Sequence, residues 1–138
     1  MTQIKLGDQV VDLSGSLPTI NSKAPDFLLA NNDLVNMTLK DFEGKRLVLN
    51  IFPSLATPVC SASAHKFNEL ASDMDNTEVI CISRDLAFSQ KQFCTSNNLD
   101  NVLFLSDMRN HDFAKNYGIL HTNGKFQGLL ARSVVIIN

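Results

Sequence analysis

Cysteine is scarce in this sequence and badly spaced for the work that clusters of it do. Among 138 residues there are three, Cys60, Cys81 and Cys94, separated by 21 and 13 positions and forming no C-x-x-C pair. An odd, widely spaced set cannot make an all-paired disulfide scaffold, and a reducing compartment keeps such thiols free. His65, His111 and His121 stand at no zinc-ligand spacing, which argues against a structural metal site. An excess of one charge is also missing: 12 basic and 14 acidic residues leave a formal net charge of −2. Neutralising phosphates requires a basic face, so a nucleic-acid partner is excluded. No apolar run approaches the roughly 18 residues of a membrane-spanning helix, and the longest, such as Val134 to Ile137, are strand-sized. The opening Met1-Thr2-Gln3-Ile4-Lys5 lacks the apolar stretch and cleavage site of a secretory signal, so a cytoplasmic protein is expected.

What remains is the composition of a folded protein, 44% hydrophobic and 19% charged, with a length that suits one domain spanning residues 1–138. Ile4, Leu6, Val10 and Leu13 flank Gly7-Asp8, the signature of an N-terminal hairpin whose turn needs a glycine. A short strand is expected at Phe27–Ala30 and one helical turn at Thr38–Phe42. Arg46 to Phe52 is nearly continuous in apolar residues, as in a strand buried on both faces. From about Cys60 to Met74 the period becomes helical, with Ala64, Phe67, Leu70, Ala71 and Met74 three and four apart. Further strands are expected at 77–83, 102–105 and 133–137, and further helices at 88–95 and 110–117. Strands alternating with helices predict a layered α/β domain with a partly parallel sheet, preceded by the hairpin.

The stretch Pro53-Ser54-Leu55-Ala56-Thr57-Pro58-Val59-Cys60 carries the chemistry. A buried strand feeds a tight loop, and the loop opens a helix with a cysteine in its first turn. Unpaired backbone N–H groups and the positive end of the helix dipole favour a thiolate there, and thiolate is the nucleophilic form. Pro58 suits the first helical position, where its missing N–H is no loss. Thr57 suits the cap and can turn its hydroxyl toward the sulfur. Pro53 fixes the exit of the strand and shields the site. Position alone fits equally a small buried hydrophobe, which free cysteine often is.

With Pro53, Thr57 and Cys60 the sequence resembles the peroxidatic Pro-x-x-x-Thr-x-x-Cys motif of the peroxiredoxins. Asn50-Ile51-Phe52-Pro53-Ser54, Lys66-Phe67-Asn68, Cys81-Ile82-Ser83, Gln92-Phe93-Cys94 and Gly128-Leu129-Leu130-Ala131-Arg132 look like the bacterial thiol peroxidase branch, atypical two-cysteine members. The resemblance implies a thioredoxin-like fold, a central mixed sheet flanked by helices. It makes Cys60 the peroxidatic cysteine, oxidised to a sulfenic acid by hydrogen peroxide or an organic hydroperoxide. Thr57 and Arg132 become hydrogen-bond donors to thiolate and peroxide, and Cys94 the resolving cysteine that closes an intramolecular disulfide with Cys60. Thioredoxin is implied as reductant and a homodimer as the assembly, with no metal or organic cofactor. Two departures stand out: Ala56 replaces the acidic residue common before the motif threonine, and the family continues beyond Ile137 with a strand and a helix. Their loss is expected to leave a sheet edge unpaired and a sheet face uncovered.

The same features allow a second reading, a catalytically impaired thioredoxin-like redox sensor or interaction module. Among the other candidates, Cys81 lies mid-strand and reads as an inert core residue. His65 falls about 140° around the helix from Cys60 and reads as a surface residue, not half of a Cys–His pair. Phe88, Phe93 and Phe113 are expected in the core or in a pocket wall. Closing a Cys60–Cys94 bond between two helices requires Cα atoms within about 7 Å, so one or both helices are expected to unwind locally.

Overall fold

Leu47, Val48, Leu49, Asn50 and Ile51 are all buried, because the strand they form, β5 (Arg46–Ile51), has a strand on either side and helices over both faces. The computed structural model describes residues 2–138. β1 (Thr2–Leu6) and β2 (Gln9–Leu13) pair antiparallel as a separate hairpin, Leu6 opposite Gln9, and Gly7 adopts a φ of +63° in the turn. Six further strands make one mixed sheet in the order β4 (Asn36–Met37), β3 (Leu29–Ala30), β7 (Leu103–Ser106), β6 (Thr77–Ser83), β5, β8 (Ser133–Ile137). β5, β6 and β7 run parallel, and β8 lies antiparallel to β5 with Ser133 opposite Ile51. This is the architecture expected, with β4 as an addition too short to leave a pattern in the sequence.

Side chains alternate across the sheet and build two cores. On one face Leu47, Leu49, Ile51, Ile80, Ile82 and Leu105 pack with Phe113 and Tyr117 from α3 (Asp112–Asn116) and the residue that follows it. On the other, Val48, Phe52, Val79, Cys81 and Phe104 receive Cys60 and Ala64 from α1 (Pro58–Ala71). Phe93 and Cys94 of α2 (Ala87–Ser96) pack against this second core. All three cysteines therefore share one side of the sheet.

Several expectations shift in detail. α1 starts at Pro58 and stops at Ala71, short of Met74. Its packed stripe runs through Cys60, Ala64, Phe67 and Ala71, which leaves Leu70 off the stripe and 41% exposed. Phe88 does not line the core: α2 turns Ala87 and Gln90 inward instead, and Phe88 is 65% exposed. α3 spans five residues, fewer than expected. Gly118, two residues past it, has a φ of +69° and a Cβ there would run into the Ser16 backbone, so only glycine fits. β8 is an outermost strand, and its Val134 and Ile136 stand exposed on the α1 side of the sheet.

Candidate active site

The loop after β5 is shaped by its own polar groups. Phe52 and Pro53 are buried, and the Phe52 N–H donates to the Ile82 carbonyl, prolonging the strand by one residue. The chain then turns as the Thr57 N–H donates to the Ser54 carbonyl, and the Ala56 N–H to Ser54 Oγ. Pro58 takes the first helical position, and Ser61 N–H to the Thr57 carbonyl closes the first turn of α1. Cys60 is thus the third residue of the helix, with 0% of its surface exposed.

Thr57 caps the helix, its Oγ1 accepting from the Cys60 N–H at 3.4 Å. The hydroxyl proton goes to the Ser54 carbonyl at 3.0 Å, not to the cysteine sulfur, so the donor role expected at the thiolate is not the one Thr57 plays in this conformation. Arg132, at the entrance to β8, does reach the sulfur: its Nη2 donates to Cys60 Sγ at 3.1 Å across 72 residues of sequence. Among the described residues no carboxylate lies within ion-pairing distance of Arg132, so its charge is spent on the thiol. The pairing of β8 with β5 creates this meeting, since Ser133 sits beside Ile51 just before the loop that carries Cys60.

Cys94 occupies different ground. It lies in the last turn of α2, partly exposed, and its Sγ donates to the Leu99 carbonyl at 3.0 Å. Burial pushes its thiol pKa up, and the nearby Asp100 carboxylate adds to the rise. A cavity of about 390 Å³ separates the Cys60 loop from this helix, lined by Leu55, Ala56, Asp85, Gln92, Phe93 and Asn97 among others. Phe93 is therefore both core and pocket wall, and Ala56 stands at the rim of the cavity. Cys60, Cys81 and Cys94 are all free thiols. Cys81 is fully buried, and desolvation takes its pKa up to about 12, which fits an inert core residue. His65 is exposed and pairs with Asn97 at 3.1 Å, away from Cys60.

Polar residues that the sequence reading passed over frame the site. Asp85 accepts from Ser54 Oγ at 2.7 Å, from the Leu55 N–H at 2.8 Å and from Ser83 Oγ at 2.7 Å. Arg84 forms an ion pair with the fully buried Asp107. Burial pushes the Asp107 carboxyl upward, and the Arg84 guanidinium pulls it part of the way back. Gln90, also buried, donates to Ser83 Oγ and the Leu105 carbonyl, both at 3.0 Å. The only local signal for any of these was the Ser83-Arg84-Asp85 polar run at a strand end, which reads as an ordinary loop.

A thiol at a helix N-terminus with a guanidinium on its sulfur, and a second thiol on the neighbouring helix, is the equipment for two-electron oxidation of cysteine. Comparison with known proteins agrees. The redoxin family model matches residues 19–138. Over its full length the chain is 43% identical to a thiol peroxidase of Listeria monocytogenes, covering 82% of that protein. Over 125 residues, 91% of this chain and 75% of the relative, it is also 43% identical to a thiol peroxidase of Corynebacterium glutamicum. A crystal structure of a peroxiredoxin-like protein from Aquifex aeolicus superposes with a TM-score of 0.92 at 37% identity, covering 99% of this chain and 79% of the other. The chain belongs to the redoxin family and, within it, stands with the peroxiredoxins of the thiol peroxidase kind.

Proposed function

We propose that this chain reduces hydroperoxides through Cys60 and regenerates through Cys94. Membership of the family makes it a thiol-dependent peroxidase, an oxidoreductase. The observation that carries the assignment of residues is the 3.1 Å hydrogen bond from Arg132 to Cys60 Sγ at the capped start of α1. A permanently charged donor there favours the thiolate and is placed to stabilise charge on a departing oxygen.

The Cys60 thiolate attacks the nearer oxygen of the peroxide. The S–O bond forms as the O–O bond breaks, the alkoxide or hydroxide leaves and takes up a proton, and Cys60 becomes a sulfenic acid. The Cys94 thiolate then attacks that sulfur, expelling hydroxide and forming the Cys60–Cys94 disulfide. Two electrons from an external dithiol restore the two thiols, and thioredoxin is the reductant we infer. Hydrogen peroxide and organic hydroperoxides are the inferred substrates, and a cytoplasmic homodimer the inferred form; among the described residues no helix is long and apolar enough to cross a membrane.

Both chemical steps ask for motion. Cys60 is wholly buried and Cys94 is held to Leu99, on separate helices, so peroxide access and disulfide closure both call for local opening of α1, α2 or the loop 54–57. The test is intact mass and peptide mapping of the reduced protein after one equivalent of hydrogen peroxide. A loss of two hydrogens mapping to a Cys60–Cys94 link, and abolished by Cys60→Ser, is expected. Accumulation of a sulfenic acid on Cys60 without the link would remove Cys94 from the cycle and favour a sensor. No oxidation of Cys60 would overturn the peroxidase reading.

A further inference from the structure

Two side chains between β6 and α2, Arg84 and Asp85, have no part in the steps just described, yet they hold the two segments that carry Arg132 and Cys60. Asp85 fastens the loop that leads to Cys60, through Ser54 Oγ and the Leu55 N–H. Arg84 fastens the segment that leads to Arg132. Its Nε donates to Asp107 Oδ1 at 3.1 Å and its Nη2 to Oδ2 at 2.9 Å, a bidentate grip that fixes the plane of the guanidinium. The remaining Nη1 then donates to the Gly128 carbonyl, four residues before Arg132.

Stability is a poor reason for such an ion pair. Asp107 is fully buried and the Arg84 side chain only 18% exposed, so desolvation offsets most of the attraction between them. What the pair does hold is geometry. Gly128 adopts a φ of +90°, with nothing within 4 Å of where a Cβ would stand, so the left-handed turn itself, not crowding, calls for glycine. Beyond the turn, the Ala131 N–H donates to the Ile119 carbonyl at 2.7 Å, and Ser133 enters the sheet beside Ile51. The segment that delivers Arg132 is thus pinned by β5 at one end and by Arg84 at the other.

We propose that Arg84, oriented by Asp107, is a positioning residue for Arg132, and that with Asp85 it forms a bracket setting the Arg132–Cys60 contact. Neither residue touches the sulfur. The inference rests on Cys60 being the peroxide-reactive thiol.

The test is a double-mutant cycle on the rate of Cys60 oxidation by hydrogen peroxide, measured in a single turnover, with thermal melting recorded for each variant. Arg84→Gln combined with Asp107→Asn removes both charges while keeping hydrogen-bonding side chains, so no buried carboxylate is left uncompensated. With Arg132 present, this pair is expected to slow oxidation about tenfold; in an Arg132→Ala background it is expected to change the rate less than twofold. Arg84→Lys keeps the charge opposite Asp107 but loses the fork, and is expected to show the same loss, again only when Arg132 is present. If the neutral pair fails to fold, the Arg84→Lys cycle decides by the same criterion. An equal loss in both backgrounds, or no loss in either, overturns the positioning role. A wild-type Cys60 that peroxide does not oxidise overturns instead the reading on which this one rests.

Discussion

Cys60 and Cys94 are the same side chain placed at opposite ends of neighbouring helices, and their surroundings differ at each point that bears on a thiol. Cys60 lies in the first turn of α1, where N–H groups point at it, and it accepts a hydrogen bond from a guanidinium. Cys94 lies in the last turn of α2, where carbonyls gather, and it donates its proton to the Leu99 carbonyl just past the helix, with a carboxylate nearby. The helix dipole therefore supports negative charge on the first sulfur and opposes it on the second. In the proposed cycle this difference would give two chemically identical groups an order of action, Cys60 first as nucleophile and Cys94 second, after losing its proton.

The sharpest way to break the contrast is to remove the guanidinium. Arg132→Ala is expected to slow oxidation of Cys60 by peroxide about a hundredfold, the usual effect of losing one well-placed donor to a developing oxyanion. Stopped-flow measurement with a thiol-specific mass readout checks it, and a loss under twofold would mean that Arg132 does not distinguish the two cysteines.

A second prediction sharpens the other side. Because burial and Asp100 raise the Cys94 pKa above its ordinary value, Cys94 is a thiol at neutral pH, and its thiolate fraction grows about tenfold per pH unit below that pKa. Closure of the disulfide from a preformed Cys60 sulfenic acid is expected to accelerate by nearly tenfold per pH unit between about pH 7 and 8.5, roughly 20- to 30-fold in all. A flat profile would show that opening of α2, not loss of the proton, limits the step.

The smallest effect concerns the cap. Thr57→Ala removes the acceptor for the Cys60 N–H and is expected to lower stability by about 1 kcal/mol, a fall in midpoint of about 2 to 4 °C. The corresponding region of α2 has no side-chain cap to lose, since Leu86 precedes it. If calorimetry shows no shift for Thr57→Ala, the long 3.4 Å contact contributes nothing and the cap is made by backbone alone.

How much of this was legible in the sequence differs by element. The strand Arg46–Ile51 and the helix after it were written in local pattern, and Pro58 with Thr57 marked the start of α1 to within a residue. Cys60 could be singled out by position because the physics of a helix N-terminus is local. Arg132 could not: its meeting with Cys60 depends on β8 turning back beside β5, and only the likeness of Gly128–Arg132 to a family segment pointed to it. Asp85, Arg84 and Asp107 were invisible because polar residues at strand ends ordinarily face water, whereas here Arg84 pairs with Asp107 and Asp85 holds Ser54 and Leu55. Phe88 misled for the converse reason: size suggested burial, but α2 turns the smaller Ala87 and the polar Gln90 toward the sheet.

β8 delivers Arg132 and is also an outermost strand, hydrogen-bonded on one side only. Outermost strands exchange their amide protons through small local fluctuations, well before a central strand such as β5 opens. The arginine is thus attached to one of the more easily frayed parts of the sheet, whereas Cys60 sits on α1, packed over the interior strands β5, β6 and β7. On warming or in mild denaturant, the two should part company first: peroxide reactivity fades while the bulk of the sheet still reads as folded, and amides 134–137 report the loss ahead of amides 47–51. Peroxide reactivity lost at the same temperature as the sheet would show instead that the Arg132–Cys60 contact is as firmly held as the core.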